Sequence, residues 1–182
     1  EDLRAGPGQL KIKKMMQRFL TRARVQNQAL LTIRMAGYSD AQHQAVLASW
    51  GKLKALDPTF KTQGCLIYEK IFELAPPAKD LFHFGNFKGD AYQKALEHFT
   101  PKTLKTIEKT LLNPTDDFND KHLSNLGGEH TELGVISEHY KVVEDAIIIT
   151  LQNVFKDEFT PELEEAWRLA YNVVANKMKV GA

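Results

Sequence analysis

The chain predicts an all-α protein of about seven helices, preceded by an extra helix at its N-terminal end. Three observations carry that prediction. Apolar residues recur at the period of one helix face through almost the whole of residues 39–182. Helix-stopping and helix-starting residues (Gly, Pro and Asn, then Ser, Thr or Asp) fall between those stripes. No segment shows the alternation, bounded by turns, that marks a strand.

From about Gln9 to Arg34, Ile12, Met15, Met16, Phe19 and Ala23 recur at helical spacing with Lys and Arg between them, which predicts a basic helix. Gly37 stops it, and Ser39-Asp40 cap the next. Val46, Leu47, Trp50, Leu53 and Leu56 form that helix's stripe, closed by Asp57-Pro58. Leu66, Ile67, Ile71, Phe72 and Leu74 form the following one, closed by Pro76-Pro77. A short turn through Leu81-Phe82 leads to a loop at Gly85-Asn86 and Gly89-Asp90. The next helix carries Tyr92, Leu96, Phe99, Thr103, Ile107 and Leu111 and ends at Asn113-Pro114. A short helix then ends near His130, with a break at Gly134. Two long helices finish the chain, one from about Ser137 to Lys156 and one opened by Thr160-Pro161-Glu162, where threonine caps and proline takes the first turn.

Charge divides the chain as the pattern does. Residues 1–38 carry Arg4, Lys11, Lys13, Lys14, Arg18, Arg22, Arg24 and Arg34 against Glu1 and Asp2, a net +6. The overall +1 therefore leaves −5 for residues 39–182, so 1–38 reads as a basic extension and 39–182 as the domain. Such a helix is expected to pack, solvated, on the domain, or to meet an acidic partner: an anionic membrane surface or a calmodulin-like protein. A targeting remnant has the same composition, and an opening residue of Glu1, not Met, is expected of a piece of something longer.

Hydrophobic content of 43% and charge of 26% belong to an ordinary globular chain, long enough to bury a sizeable core. Apolar runs such as Ala146–Ile149 fall far short of the roughly 20 residues needed to cross a bilayer. A single cysteine, Cys65, excludes an internal disulfide framework and any cysteine-only metal cluster. The expected setting is reducing and cytoplasmic, with pairing between two chains as the alternative use of Cys65. No nucleic-acid partner is expected.

Five further features follow one another in order. Ala48-Ser49-Trp50 lies in the first helix of the domain, and Gly64 lies where the second needs a small residue to cross another closely. Pro76-Pro77-Ala78-Lys79-Asp80-Leu81-Phe82 forms a corner. Leu126-Gly127-Gly128-Glu129-His130 is followed by Gly134-Val135-Ile136 and Tyr140, and Pro161 through Trp167 and Tyr171 opens the last helix. In this ordered series residues 39–180 resemble a globin. The resemblance implies a haem b group, with Phe82 wedged against it and His130 as its iron ligand. Leu126, Ile136 and Tyr140 are implied on the same side as His130. Phe84 and Phe87 either line the same edge as Phe82 or cover the loop.

The chemistry of His130 is that of a neutral imidazole, a good donor to haem iron. Its second ring nitrogen needs an acceptor to fix the tautomer, and a carbonyl of the preceding turn, near Leu126, is the expected one. His43, His83, His98, His122 and His139 are the competing histidines.

Counted back from Pro76 without a gap, Tyr68 lands at the ligand-facing position of the second helix. Its neighbours Ile67, Ile71 and Phe72 are apolar, so the phenol is part-buried and must find a partner. A bound diatomic gas that accepts a hydrogen bond is one. In a dry pocket that bond is worth about 1–3 kcal/mol, or roughly five- to 150-fold in retention. A backbone carbonyl is the other.

The opposing helix leaves two choices. A gap-free count back from His130 puts His98 over the iron, where it could bind the metal directly. Helical phase favours the next residue. If His98 faced the pocket, Lys102 would follow it in, and Thr106 and Thr110 would take core positions, with a buried lysine costing several kcal/mol. With Phe99 and Thr103 in the pocket, Leu96, Leu104, Ile107 and Leu111 form the core and Lys102 sits at the rim, able to meet a haem propionate. Pro101 could distort the helix enough to restore His98.

The implied function is reversible binding of a diatomic gas (O2, CO or NO), in sensing or regulated ligand binding. The alternative is a haem enzyme, a nitric oxide dioxygenase or peroxidase type drawing on an external reductant. Sustained turnover needs electrons, and the sequence carries no Gly-rich nucleotide motif to supply them. A haem-free structural module is the third reading, and the Phe82/His130 pair argues against it.

Overall fold

Ser39 opens the domain with a reciprocal cap. Its backbone N–H and its hydroxyl both reach the Gln42 side-chain oxygen, at 2.8 and 2.9 Å, and the Gln42 N–H donates back to the Ser39 hydroxyl at 3.2 Å. The helix so started, α1, runs Asp40–Leu56. A computed structural model describes residues 14–18, 21, 37–112 and 117–181 of the chain. Residues 14–18 and 21 are helical, with Met15 and Met16 exposed. The rest of the basic helix expected over Gln9–Arg34 lies outside the described residues.

Asp57 starts α2, Lys61–Leu74, by accepting from the N–H groups of Thr59 and Thr62 at 2.8 and 2.9 Å. A 3-10 turn, Pro76–Leu81, makes the corner. Helix α3, Gly89–Leu112, continues through Pro101. Helix α4, Asp117–Glu132, is longer than the short helix expected and passes two residues beyond His130, to a left-handed stop at Gly134. Helix α5, Ser137–Phe155, and a 3-10 turn, Lys156–Glu158, lead to α6, Pro161–Lys179, where the Thr160 hydroxyl caps the Leu163 N–H at 3.3 Å. No strand occurs among the described residues, and none of their helices is long and apolar enough to cross a membrane. The fold is all-α, as the periodicity predicts.

Most predicted stripes are buried, with instructive exceptions. Val46, Trp50 and Leu53 are in the core, whereas Leu56, the last residue of α1, is exposed. On α2 the buried arc runs through Gly64, Ile67, Tyr68, Ile71 and Phe72, and Leu66 falls outside that arc and is exposed. Leu74, the final residue of α2, is exposed too. On α3 Leu96, Leu104 and Leu111 are buried as expected, but Thr110 is buried with them. The expectation that Thr110 stays out of the core is corrected: its hydroxyl donates to the Thr106 carbonyl at 3.0 Å and so costs little to bury. Cys65 is free and buried, and burial raises its thiol pKa, so pairing between chains has no accessible thiolate.

Helix α3 packs on α2, α2 on α5, and α1, α4 and α5 on α6. Two glycines let helices cross in close contact. A Cβ on Gly64 would lie 2.5 Å from the Thr100 hydroxyl, and one on Gly127 only 1.8 Å from the Met178 carbonyl. The first lets α2 and α3 cross in contact; the second seats α4 on the backbone of α6. The core has two parts: a large cluster joins α1, α2, α3, α5 and α6, and a smaller one joins Leu123 and Leu126 of α4 to Tyr140, Ala175 and Met178. Helix α3, which carries Phe99, and helix α4, which carries His130, share no substantial interface.

Candidate functional site

Tyr68 owes its position to the Gly64–Thr100 crossing one turn earlier. With α2 held tight on α3, the Tyr68 hydroxyl meets the Thr103 hydroxyl at 2.9 Å. Its ring stands edge-on to Phe82 and to Phe99, each 5.6 Å between centroids, and to Phe72 at 6.1 Å. Phe82 and Phe99 also meet each other at 5.6 Å. The phenol is buried, and that burial raises its pKa, while the Thr103 bond works the other way; the hydroxyl keeps its proton at neutral pH. Neither partner weighed from the sequence is the one found: the phenol pairs with a threonine side chain.

Phe99 belongs to this cluster and His98 does not. The His98 ring is exposed, with Nε2 3.4 Å from the Nζ of Lys102, which is exposed one turn further on. Phe99, Thr103 and Ile107 repeat along one face of α3 and are partly buried, with Phe99 and Ile107 against the large cluster. Phe84 is fully buried and packs on Phe82, at 5.3 Å, and on Phe99, at 5.5 Å, while Phe87 is exposed. The pair expected to act alike therefore splits, because Phe84 points into the corner made by the 3-10 turn.

His130 is partly buried on α4, and its Nδ1 donates to the Leu126 carbonyl at 2.8 Å. A carbonyl can only accept, so Nδ1 carries a hydrogen, and in the neutral ring the lone pair is then on Nε2. That is the tautomer a metal-ligating histidine needs. Beyond it, Leu133 and Ile136 are 62% and 54% exposed, an oily rim on the link from α4 to α5. Tyr140 is buried, and its hydroxyl has no partner among the described residues. Tyr171 donates to the Tyr140 carbonyl at 2.8 Å. Burial, with help from Glu144, raises the Tyr171 pKa.

These residues fit a flat, apolar metalloporphyrin. One imidazole nitrogen is free on a fixed ring, Phe82 after the 3-10 turn and Phe99 on α3 are partly buried, and the large aliphatic side chains of Leu133 and Ile136 stand exposed. Of the two places weighed for Phe84, the one beside Phe82 is found, and Phe72, named as a neighbour of Tyr68, packs on its ring. Sequence reasoning missed the seat that Gly127 gives α4, for which the Gly127-Gly128 pair is the signal.

The all-α fold carries a partly buried histidine on α4 and, apart from it, a phenylalanine–tyrosine cluster joining α2, the corner and α3. The globin family model matches residues 66–178, and the chain belongs to the globin family, whose members bind haem and diatomic gases such as O2. Among relatives, it is 32% identical over 145 residues to the rice protein named anaerobic nitrite reductase NSHB5 (Oryza sativa subsp. indica), covering 79% of this chain and 94% of that one. It is 28% identical over 155 residues to anaerobic nitrite reductase HBII of Casuarina glauca, covering 82% and 95%. It is also 28% identical over 152 residues to the leghemoglobin of Psophocarpus tetragonolobus, covering 80% and 98%.

Proposed function

We propose that this chain is a haem b globin that reversibly binds a diatomic gas (O2, CO or NO) in sensing or regulated ligand binding. The observation that carries the reading is the Tyr68 hydroxyl, buried among Phe72, Phe82 and Phe99 and still protonated. An apolar pocket with no polar task is filled more cheaply by a fourth phenylalanine. Haem, when bound, supplies a ferrous iron that takes the gas as ligand. His130 offers Nε2 to that iron, and the Leu126 carbonyl holds the ring against rotation. Phe82 and Phe99 exclude water and shape the slot. Tyr68 holds a proton at its hydroxyl for a ligand that accepts one, in a dry site where the bond counts for more. Lys102 stands at the rim within reach of an anionic edge group, and Ile136 and Tyr140 close the His130 side.

A second reading is favoured by the names of the relatives, several of which are called anaerobic nitrite reductases. In that reading the same pocket runs redox chemistry on a small nitrogen oxide or peroxide, with electrons from an external reductant. The basic pattern of residues 1–38 is the reason to look for an acidic partner, protein or membrane surface, that regulates either activity.

The test is the absorption spectrum of the haem-reconstituted, ferrous, unliganded protein. With Phe99 facing the slot and His98 outside it, the expected spectrum is five-coordinate and high-spin. A six-coordinate, low-spin spectrum that His98→Ala abolishes overturns the distal assignment. Anaerobic titration of the same sample with nitrite and a reductant separates the two readings: turnover well above that of free haem favours the enzyme.

A further inference from the structure

We propose that Thr103 is a positioning residue that holds the Tyr68 phenol proton, so that a gas entering the slot competes with Thr103 for it. The inference rests on the ligand-pocket reading above and adds a residue that sets how tightly the pocket retains a polar ligand.

Threonines elsewhere in the helices show what this one does differently. Thr106, Thr110, Thr131 and Thr150 each spend their hydroxyl on the carbonyl four residues back, at 3.1, 3.0, 3.2 and 2.7 Å. Thr103 instead reaches across to another helix, 35 residues away in sequence, and pairs with Tyr68 at 2.9 Å. The pair is enclosed: Tyr68 is buried, Thr103 is partly buried, and the rings around the phenol are phenylalanines with no acceptor to offer.

Two hydroxyls that share one hydrogen bond must divide the roles. A phenol is by far the more acidic of the two and the better donor, and an aliphatic hydroxyl is the better acceptor. Tyr68 therefore donates to Thr103. A phenol has one proton, so the bond to Thr103 must be given up, or shared at a loss, before Tyr68 can donate to a gas. Thr103 thus lowers the retention of a ligand that accepts hydrogen bonds and hardly touches one that does not. It sets the pocket's preference between O2 and CO through the proton of Tyr68.

The experiment measures O2 and CO dissociation from the haem-reconstituted full chain, wild type and Thr103→Val, in both Tyr68 and Tyr68→Phe backgrounds. Valine keeps the shape and removes the acceptor. The expected result is O2 dissociation slowed about fivefold, the worth of one neutral hydrogen bond, with a much smaller change for CO. Thr103→Ser, which keeps the hydroxyl, restores the wild-type rate, and in the Tyr68→Phe background Thr103→Val has no effect on O2. An ultraviolet resonance Raman spectrum of the chain without haem is a second readout. The Tyr68 component, isolated by difference against Tyr68→Phe, loses its donor signature in Thr103→Val.

Faster or unchanged O2 dissociation in Thr103→Val overturns the proposal, as does an equal effect when Tyr68 is absent, which would mean packing alone. A wild-type chain that takes up no haem defeats the pocket reading itself, and the Raman arm then reports separately whether the hydroxyl pair exists.

Discussion

Tyr68 brings a hydroxyl into a place where the three rings it touches are phenylalanines. Left without a partner, that hydroxyl costs about 1–3 kcal/mol, and Thr103 removes the cost. Tyr68→Phe is expected to leave the fold intact and to speed O2 dissociation several-fold, measured by rapid mixing with an O2 scavenger. An unchanged rate takes the phenol out of the mechanism. Tyr68 was legible because an ungapped count from Pro76 fixes its height on α2 and its apolar neighbours fix its face. Thr103 as its partner was not, since that pairing depends on how far α2 slides along α3, a tertiary quantity. The choice between His98 and Phe99 was decided by helical phase, and the exposed ring of His98 agrees with that phase. The phase argument erred on Thr110 for a local reason. It priced threonine as a polar residue, although a helical threonine can satisfy its hydroxyl on its own backbone.

At the scale of elements, α2 matters most, since it carries Tyr68 and the Gly64 crossing. Its start depends on Asp57, whose carboxylate takes hydrogen bonds from Thr59 and Thr62 and is thereby held well below the usual carboxylate range. A carboxylate whose folded pKa is depressed stabilises the fold fully above its unfolded pKa of about 4. That contribution fades as pH falls through the folded value. Asp57→Ala is expected to cost on the order of 1 kcal/mol at pH 7, read by urea denaturation, and progressively less in strong acid. A pH-independent loss would show that the side chain acts by packing. Ends of this kind were readable in the sequence: Ser39 at the head of α1, Thr160 with Pro161, and the stop at Gly134 all stand where the pattern put them. Helix α4 was read short because Asp117–Glu132 is largely polar and holds two adjacent glycines. Its helix is sustained by the seat on α6 that Gly127 permits, and nothing local announces that seat.

A large hydrophobic cluster holds α3 and a small one holds α4, and among the described residues the two helices share no substantial interface. The order of the five sequence features foretold the family. It could not foretell that the core divides in two, because the division arises from packing between distant helices. Leu133 and Ile136 stand exposed on the link from α4 to α5. The most direct measurement of this account is haem uptake and absorption by His130→Gly beside the wild type, with and without added imidazole. The account predicts that the variant retains haem poorly, with shifted bands, and that imidazole restores the wild-type spectrum. Wild-type bands and retention in His130→Gly, without imidazole, would contradict it.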